Sequence, residues 1–369
     1  MNVTALIEEL LTSSDTSASS DDLEGVLEVV IPEVLQHRQK NENYAESIMP
    51  MYTEQEFLEH FKVPRLVVIE LARDFQESEY YPKKDTGFLR IGAEKSICIF
   101  IWYASHEAAS FRDVSDRFNI AISTLHVLIH NVTYFLSNKS KEVICWPTEN
   151  EKVVIEQQFL EMGFPGVLGA MDGSHVRIDQ PKNDPESYLN RKKFYSIQFQ
   201  VVCDSSRKIR DVFIGFPGSV HDARVFNNSP LFHSLPEKCG EKVILADSAY
   251  PCLRNVLTPY KDNGNLSEIE KNFNIKLSHC RIVIEHVFGI LKQKFRQLYH
   301  LKLRDETLIC HFIRACCVLH NLTLNLEQEL IEEPQGADKI PPPYVGENIE
   351  ENMAGNAYRN YVAALLFNH

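Results

Sequence analysis

The sequence lacks an apolar run long enough to cross a bilayer. Its longest runs, of which Ser96–Tyr103 is one, span about eight residues, whereas a membrane-spanning helix needs about 20. The first residues include Glu8 and Glu9, although a secretory signal begins with a basic segment. These absences argue against an integral membrane protein and against a secreted one, and we expect a soluble, intracellular protein.

Cysteine patterns that bind zinc are also missing. The nine cysteines form no CxxC pair and no Cys/His series with zinc-ligand spacing. An odd number of cysteines without such a framework is typical of reduced thiols inside the cell. The sequence therefore argues against a disulfide scaffold and against a structural zinc site.

Positive charge is scarce over the whole chain but concentrated in one part of it. The 369 residues, 44% of them apolar, carry a formal net charge of -13. Of the segments 1–50, 51–150, 151–320 and 321–369, only 151–320 has a positive charge balance, with 23 Lys and Arg against 19 Asp and Glu. Such a segment is compatible with a polyanionic substrate.

Composition and periodicity divide the chain into four parts. Residues 1–50 are acidic, contain the polar run 12–24, and are predicted to form a disordered N-terminal tail. Residues 326–369 are predicted to form an acidic, proline-containing C-terminal tail. Between the tails, helical spacing of apolar residues predicts a small helical domain at 51–150, and a second domain follows at 151–325.

The helical domain contains a candidate helix-turn-helix segment at residues 110–136. The pattern predicts a helix from Phe111 to Phe118, a turn at Asn119–Ile122, and a second helix capped by Ser123. Such a second helix can enter the major groove of DNA. An ordinary helical hairpin has the same pattern, so both interpretations stay open. The candidate recognition face has no Lys or Arg and consists of Thr124, His126, His130 and Asn131.

The hydrophobic period changes after Phe164. Val167–Met171 and Val243–Ala246 are short apolar runs of the kind that form buried strands, and Phe194–Val202 alternates as a sheet strand does. Leu277–Leu298 has apolar residues every three or four positions, which predicts a helix. The order of strand, hairpin, strand and helix predicts an α/β or α+β fold.

Three carboxylates lie at or just beyond these apolar runs. Asp172 and Asp247 follow the two short strands, and Glu285 lies in the helix. Acids from distant segments that converge on one point can hold a hard divalent cation such as Mg²⁺ or Mn²⁺, which keeps waters for a phosphate substrate. The default role of an Asp at a strand end is a turn former or a helix cap. The convergent interpretation predicts metal-dependent nuclease chemistry.

Four strings that contain these acids occur in a fixed order. They are Gly169-x-x-Asp172-Gly-x-His175, Gly215-x-Pro-Gly-x-x-His221-Asp222, Asp247-Ser-x-Tyr250-Pro251 and Arg281-x-x-x-Glu285-x-x-Phe288-Gly-x-Leu-Lys292. Together they resemble the DDE superfamily endonuclease domain of PIF/Harbinger transposases and of the host nucleases derived from them. The resemblance covers roughly residues 90–325, including the helix-turn-helix segment.

The resemblance implies an α/β fold with an RNase H-like DDE nuclease core, preceded by a small helical, helix-turn-helix-like domain. It implies that Asp172, Asp247 and Glu285 are catalytic and bind the metal, and that Asp222 is a further metal-binding acid. The alternative for Asp222 is the N-cap of a helix that begins at Ala223. In the two-metal hydrolysis that the resemblance implies, Asp172 is the best candidate for the bridging ligand.

Other polar residues are predicted to support the site. Imidazole is uncommon around Mg²⁺, so the nearby histidines are expected to orient the acids or contact the substrate. The same roles are expected of two cationic side chains on the Glu285 helix. These residues are His175, His221, Arg281 and Lys292. Basic residues predicted to line a DNA path are Arg191, Lys192, Lys193, Lys294 and Arg296, for which a solvated surface is the alternative.

The leading prediction is a divalent-metal-dependent DNA endonuclease, resembling a Harbinger-type transposase or a nuclease derived from one. The alternative is a domesticated, non-catalytic nuclear DNA-binding or scaffold protein that retains the fold. The resemblance also implies a nuclear location, with the cytoplasm as a second compartment, and a Myb-like DNA-binding protein as a candidate partner. The DNA target and the oligomeric state stay open.

Overall fold

The structure is a computed structural model that describes residue 41 and residues 43–83, 90–107, 109–324 and 353–367. The described residues from Asn43 to Phe367 form one compact unit. Most of the predicted tails at 1–50 and 326–369 lies outside the described residues. The described chain is already helical at Tyr44, before the predicted boundary at residue 50, and it is helical again at 353–367.

The first part of the compact unit is helical, as its periodicity predicts. A π-helical turn at Tyr44–Ile48 and a 3₁₀ turn at Met49–Met51 lead into it. Nearly every residue of the third helix is buried, which makes it the centre of this part. The helices are α1 (Glu54–Phe61), α2 (Arg65–Glu77), α3 (Ala93–Ser105), α4 (Phe111–Arg117), α5 (Ile122–Asn138), α6 (Ser140–Val143) and α7 (Glu149–Glu161).

The candidate helix-turn-helix segment contains α4 and α5. Ser110 caps α4, while α5 begins at Ile122 with Ala121 at its N-cap, so the prediction that Ser123 caps the second helix is wrong. The two helices meet at 101°, an angle within the usual range of helix-turn-helix units. The exposed residues of α5 include the apolar Ile122 and Val127. A DNA-binding role for this segment stays a prediction.

In the described ranges, no single helix is long and apolar enough to cross a membrane. One bent pair, formed by α4 with α5 and α6, has the length and the apolar composition of a membrane span, and no other feature of it indicates a membrane.

A mixed sheet of six described strands forms the second part. Its order is β3-β2-β1-β4-β5, with β6 also paired to β1. The first three strands are antiparallel, whereas β4 and β6 run parallel to β1, and β5 runs parallel to β4. The mixed α/β architecture predicted from the sequence is confirmed. The strands are β1 (Val167–Ile178), β2 (Ser196–Cys203), β3 (Ile209–Pro217), β4 (Val243–Leu245), β5 (Val256–Leu257) and β6 (His300–Leu301).

One edge of β1 has a gap between two partner strands. β4 pairs with β1 as far as Ala170, and β6 pairs with it from Arg177. Between these points β1 pairs only with β2 among the described strands. Asp172 lies in this gap, inside β1. The sequence predicts a strand end at this residue, but β2 continues beside β1 well past it.

Helices cover both faces of the sheet. The short helix α8 (Pro185–Tyr188) is followed by α9 (Asp222–Asn227) and α10 (Pro230–Cys239). Phe226 of α9 is buried in one apolar cluster with the sheet residue Met171 and with residues of α10. The main core, which extends along the chain from Tyr44 to Leu366, includes apolar residues of the longer α11 (Glu268–Lys294), α12 (Glu306–Thr323) and α13 (Met353–Phe367). Burying each large apolar side chain contributes about 1.5–3 kcal/mol.

Helix α11 connects the C-terminal helix to the gap in the sheet. Its start is fixed by a capping box between Ser267 and Glu270. In its first half, Asn272 and Lys276 donate hydrogen bonds to the carbonyl of Leu366 in α13. Its second half lies against β1. The sequence analysis treats residues 326–369 as a tail and does not predict α13.

Candidate active site

Asp172 lies in the gap of the sheet and is paired with a buried arginine. Its Oδ2 accepts a hydrogen bond from Arg281 Nη2 at 3.1 Å, and its Oδ1 accepts one from the backbone amide of Gly173 at 2.7 Å. The Asp172 side chain is 21% exposed and the Arg281 side chain 9%. The carboxylate is therefore largely buried and has its countercharge in direct contact.

Parallel pairing of β4 with β1 brings Asp247 to the same end of the sheet. Ala170 pairs with Leu245, and each aspartate lies two residues beyond its strand's member of this pair. Asp222, the first residue of α9, approaches β1 at Gly173, where a side chain would overlap its Oδ1. The structure thus brings three predicted metal-binding acids together: Asp172, Asp222 and Asp247.

Burial and mutual repulsion raise the pKa values of these acids. Burial is the largest cause of the raised pKa of Asp172. The charge of Arg281 lowers this pKa, and the charges of Asp247 and Asp222 raise it further. Burial and the nearby Asp247 raise the pKa of Asp222 to about 6. Burial also raises the pKa of Asp247. A bound cation would relieve this repulsion, because an opposite charge favours the ionised form of a carboxylate.

Glu285 lies on α11 between two cations that contact β1. Arg281, one turn before it, contacts Asp172, and Lys292, two turns after it, donates to Ser174 Oγ at 2.9 Å. Residues about one and two turns apart share a helix face, so Glu285 is on the side of α11 that carries these two cations, but none of its described contacts joins it to the three aspartates. Its side chain is exposed. The catalytic and metal-binding roles of the four acids stay predictions.

The helix alternative for Asp222 is resolved by its contacts. His221 occupies the N-cap of α9 and no side chain caps this helix. The Asp222 carboxylate instead accepts a hydrogen bond from Gln198 of β2. Its position is therefore set by the sheet as well as by the helix.

Buried polar atoms without a hydrogen-bond partner are concentrated around the acids. Among the described residues they include Gln198 Oε1, both amide atoms of Gln200, the Tyr250 hydroxyl and Arg281 Nε. Burying a polar group without a partner costs free energy, so such atoms are typical of sites that bind water, ions or substrate. The two glutamines lie outside the four sequence motifs and were not predicted as site residues. The signal that could have found them is their alternation on one face of the buried strand β2.

A pocket of about 400 Å³ opens beside the acids and is lined by several of the predicted supporting residues. His175 Nδ1 lies 3.1 Å from Ser196 Oγ. Burial, and then Lys292 and Lys192, lower the pKa of His175 to about 4, so this histidine is neutral near pH 7. His221 is exposed and contacts Arg191.

The basic residues predicted to line a DNA path divide into two groups. Arg191, Lys192 and Lys193 are exposed, as is Arg296. Lys294 is buried and donates to Thr323 Oγ1, so its predicted contact with DNA is not supported. The reason is helical geometry: two residues correspond to roughly 200° around a helix, which directs Lys294 away from the face that Lys292 presents to β1.

The carboxylate oxygens of the three aspartates suit a divalent cation, but in this structure they accept hydrogen bonds from protein groups. Carboxylate oxygens are preferred ligands of Mg²⁺ and Mn²⁺. Asp172 accepts from Arg281 and a backbone amide, Asp222 from Gln198, and Asp247 from a backbone amide. Within the described residues, no group of three or more His, Cys, Asp and Glu side chains is arranged to hold a metal ion. The residues fit such an ion chemically, on the condition that their carboxylates change partners.

Residues 171–321, a range that contains all four acids, match the family described as DDE superfamily endonuclease. A Bos taurus protein named "Putative nuclease HARBI1" is 30% identical over 246 residues, which are 64% of this chain and 69% of that protein. The Homo sapiens protein of the same name is 29% identical over 238 residues, 62% of this chain and 67% of that protein. The Arabidopsis thaliana protein "Protein ALP1-like" is 25% identical over 238 residues, 60% of this chain and 58% of that protein. No solved structure matches the chain.

The matched family and these relatives define a nuclease-like protein with a DDE endonuclease domain. The chain belongs to the Harbinger-derived nuclease family, as its ordered motifs imply.

Proposed function

We propose that the protein is a divalent-metal-dependent DNA endonuclease that hydrolyses phosphodiester bonds. The observation that carries the proposal is the convergence of Asp172, Asp222 and Asp247 in the gap of the sheet, with raised pKa values. Buried acids that repel one another reduce stability, and proteins retain such arrangements at functional sites. The antiparallel β1–β3 followed by the parallel β4 and β5 supports the RNase H-like core that the resemblance implies.

Each site residue has a distinct role in this proposal. Asp172, Asp247 and Glu285 would hold the metal, with Asp222 as a further ligand. A bound divalent cation activates water and stabilises charge on the leaving oxygen. Arg281 balances the charge of Asp172, and Gln198 orients Asp222 through a hydrogen bond.

Nicking of supercoiled plasmid DNA tests the proposal. Wild-type protein should nick the plasmid with Mg²⁺ or Mn²⁺ and not with EDTA. Asp172→Asn, Asp247→Asn and Glu285→Gln should each abolish nicking, because each removes a negative charge from the metal site. Asp179→Asn is the matched control, since Asp179 is an exposed acid paired with His300 away from the cluster.

The variants must also fold, which circular dichroism and thermal unfolding establish. Retained nicking in all three site variants would refute the assignment of the acids. Equal loss in Asp179→Asn would show that the assay responds to surface charge and not to the cluster.

A non-catalytic DNA-binding or scaffold protein is the second candidate function. The pairing of Asp172 with Arg281 favours it, because a carboxylate that keeps this partner does not bind a metal with the same oxygen. Isothermal titration with Mn²⁺ separates the two functions. The endonuclease binds Mn²⁺ in a manner that Asp247→Asn weakens, whereas the scaffold protein shows no such dependence while still binding DNA.

We also propose a nuclear location and a Myb-like DNA-binding partner. The support is the absence of Lys and Arg from the candidate recognition face of α5 and the overall charge of -13, since weak electrostatic attraction to DNA leaves targeting to a second protein. Imaging of the tagged chain, with and without a co-expressed Myb-like protein, tests this. Nuclear entry and DNA binding that do not depend on the partner would contradict it.

A further inference from the structure

The pocket beside the acids has a preformed basic wall. Asn190 is 6% exposed and organises the loop that follows it. Its Oδ1 accepts hydrogen bonds from the backbone amides of Lys192 and Phe194, and its Nδ2 donates to Ser196 Oγ at 3.0 Å. These bonds fix the backbone of Lys192 and Phe194, which line the pocket together with Arg191.

A second lysine faces the pocket from α11. Lys292 is held by Ser174 Oγ and the carbonyl oxygen of His175, both at 2.9 Å. Burial and the neighbouring Lys192 lower the pKa of Lys292 to about 8. Two ammonium groups that repel each other across a pocket are stabilised by an anion between them.

The rest of the lining suits a group larger and less charged than a phosphate. Phe194 and Gln198 both line the pocket. Gln198 is 2% exposed, and its Oε1 has no hydrogen-bond partner among the described residues. A volume of about 400 Å³ lies within the usual range of about 300–1,000 Å³ for small-molecule sites. An aromatic residue and an unsatisfied amide in the lining of one pocket are groups that can stack on a nucleobase and hydrogen-bond to its edge.

We propose that this pocket receives one unpaired nucleotide of the DNA substrate, with its phosphate near Lys192 and Lys292 and its base against Phe194 and Gln198. The proposal rests on the proposed nuclease function and specifies its substrate class: DNA with an extruded or unpaired nucleotide next to the cleaved bond. Asp222 lines the same pocket, so the nucleotide would lie directly beside the acids.

Binding to duplex oligonucleotides tests the proposal without any cleavage. Each duplex carries one 2-aminopurine, either paired with thymine or placed opposite an abasic site. Fluorescence anisotropy measures affinity, and 2-aminopurine emission reports departure of the base from the stack. Because unpairing a base costs a few kcal/mol, the unpaired duplex should bind about tenfold or more tightly than the paired one.

Two lysines of one loop provide a matched pair of variants. Lys192→Gln should reduce the preference for the unpaired duplex. Lys193→Gln should weaken binding to both duplexes equally, because Lys193 has the same charge but does not line the pocket. Phe194→Leu should also reduce the preference, through loss of stacking.

The measurements use EDTA and the Asp247→Asn background, so failure of the nuclease proposal does not affect them. Equal affinity for both duplexes with unchanged emission would overturn the inference. A preference that persists in both Lys192→Gln and Phe194→Leu would also overturn it, since the unpaired nucleotide would then bind elsewhere.

Discussion

Replacement of Asp222 by asparagine should stabilise the protein while it removes a proposed metal ligand. The substitution keeps an oxygen that can accept the hydrogen bond from Gln198 and removes one of three clustered negative charges. Burial and Asp247 raise the pKa of Asp222 from 3.8 to about 6 in the folded chain. The folded state therefore binds more protons than the unfolded state between these pH values, and stability falls as pH rises through this range.

The size of the effect follows from this difference in pKa. A rise from 3.8 to about 6, at about 1.36 kcal/mol per pKa unit, corresponds to about 3 kcal/mol at pH 8. Solvent that reaches the partly exposed side chain reduces this value, so we expect a gain of about 1–3 kcal/mol. At pH 5 the gain should be about half as large, because Asp222 is then mostly protonated in the folded wild type.

Urea unfolding at pH 8 and pH 5 measures the gain. Asp204→Asn is the control, because Asp204 is a buried acid outside the site that accepts hydrogen bonds from the amides of Ser206 and Lys208 and from Arg210; its replacement should destabilise the protein. Added Mg²⁺ should stabilise the wild type and reduce its difference from Asp222→Asn. A neutral or destabilising Asp222→Asn at pH 8 would refute the argument from charge repulsion.

Three further predictions concern the surroundings of the site and the core. Arg281→Met leaves Asp172 without its countercharge and should lower the free energy of unfolding by about 3–5 kcal/mol at pH 8. In urea unfolding, Mg²⁺ should restore part of this stability, whereas it should not restore that of Arg210→Met, which breaks a buried pair elsewhere. His320→Gln should reduce the loss of stability between pH 7 and pH 5. Burial lowers the pKa of His320 to about 3 in the folded chain, so the folded state keeps this histidine neutral while the unfolded state binds a proton below about pH 6.5. Below that pH, wild-type stability falls by up to about 1.4 kcal/mol per pH unit. Gly173→Ala should abolish nicking in a folded protein, since its methyl group would occupy the position of Asp222 Oδ1; normal nicking would contradict the proposed position of Asp222.

Much of the fold follows from periodicity and local signals. The alternation in β2, the short apolar run of β4 and the three-to-four spacing in α11 each predict the observed element. Because β4 is parallel to β1, the expectation that Asp172 and Asp247 lie close together follows from the sequence once both strands are assigned. The ordered motifs then identify the family.

Other features depend on contacts between distant segments. The long β1 passes through Asp172 because β2 pairs with it along this stretch, which no local pattern reveals. The pairing of Asp172 with Arg281 joins residues 109 positions apart. Helix α13 follows a stretch of acidic and proline-rich composition, so local composition conceals a helix whose stability depends on packing against α11.

The Asp172–Arg281 pair has a consequence for the life cycle of the molecule. Many small metal-binding domains depend on an ion to fold, and chelators denature them. Here an arginine from α11 pairs with Asp172 and balances its charge, so the chain can reach its folded state before it binds an ion. Under the proposed function, folding and metal binding are then separate events, and a folded, metal-free population is inert toward DNA.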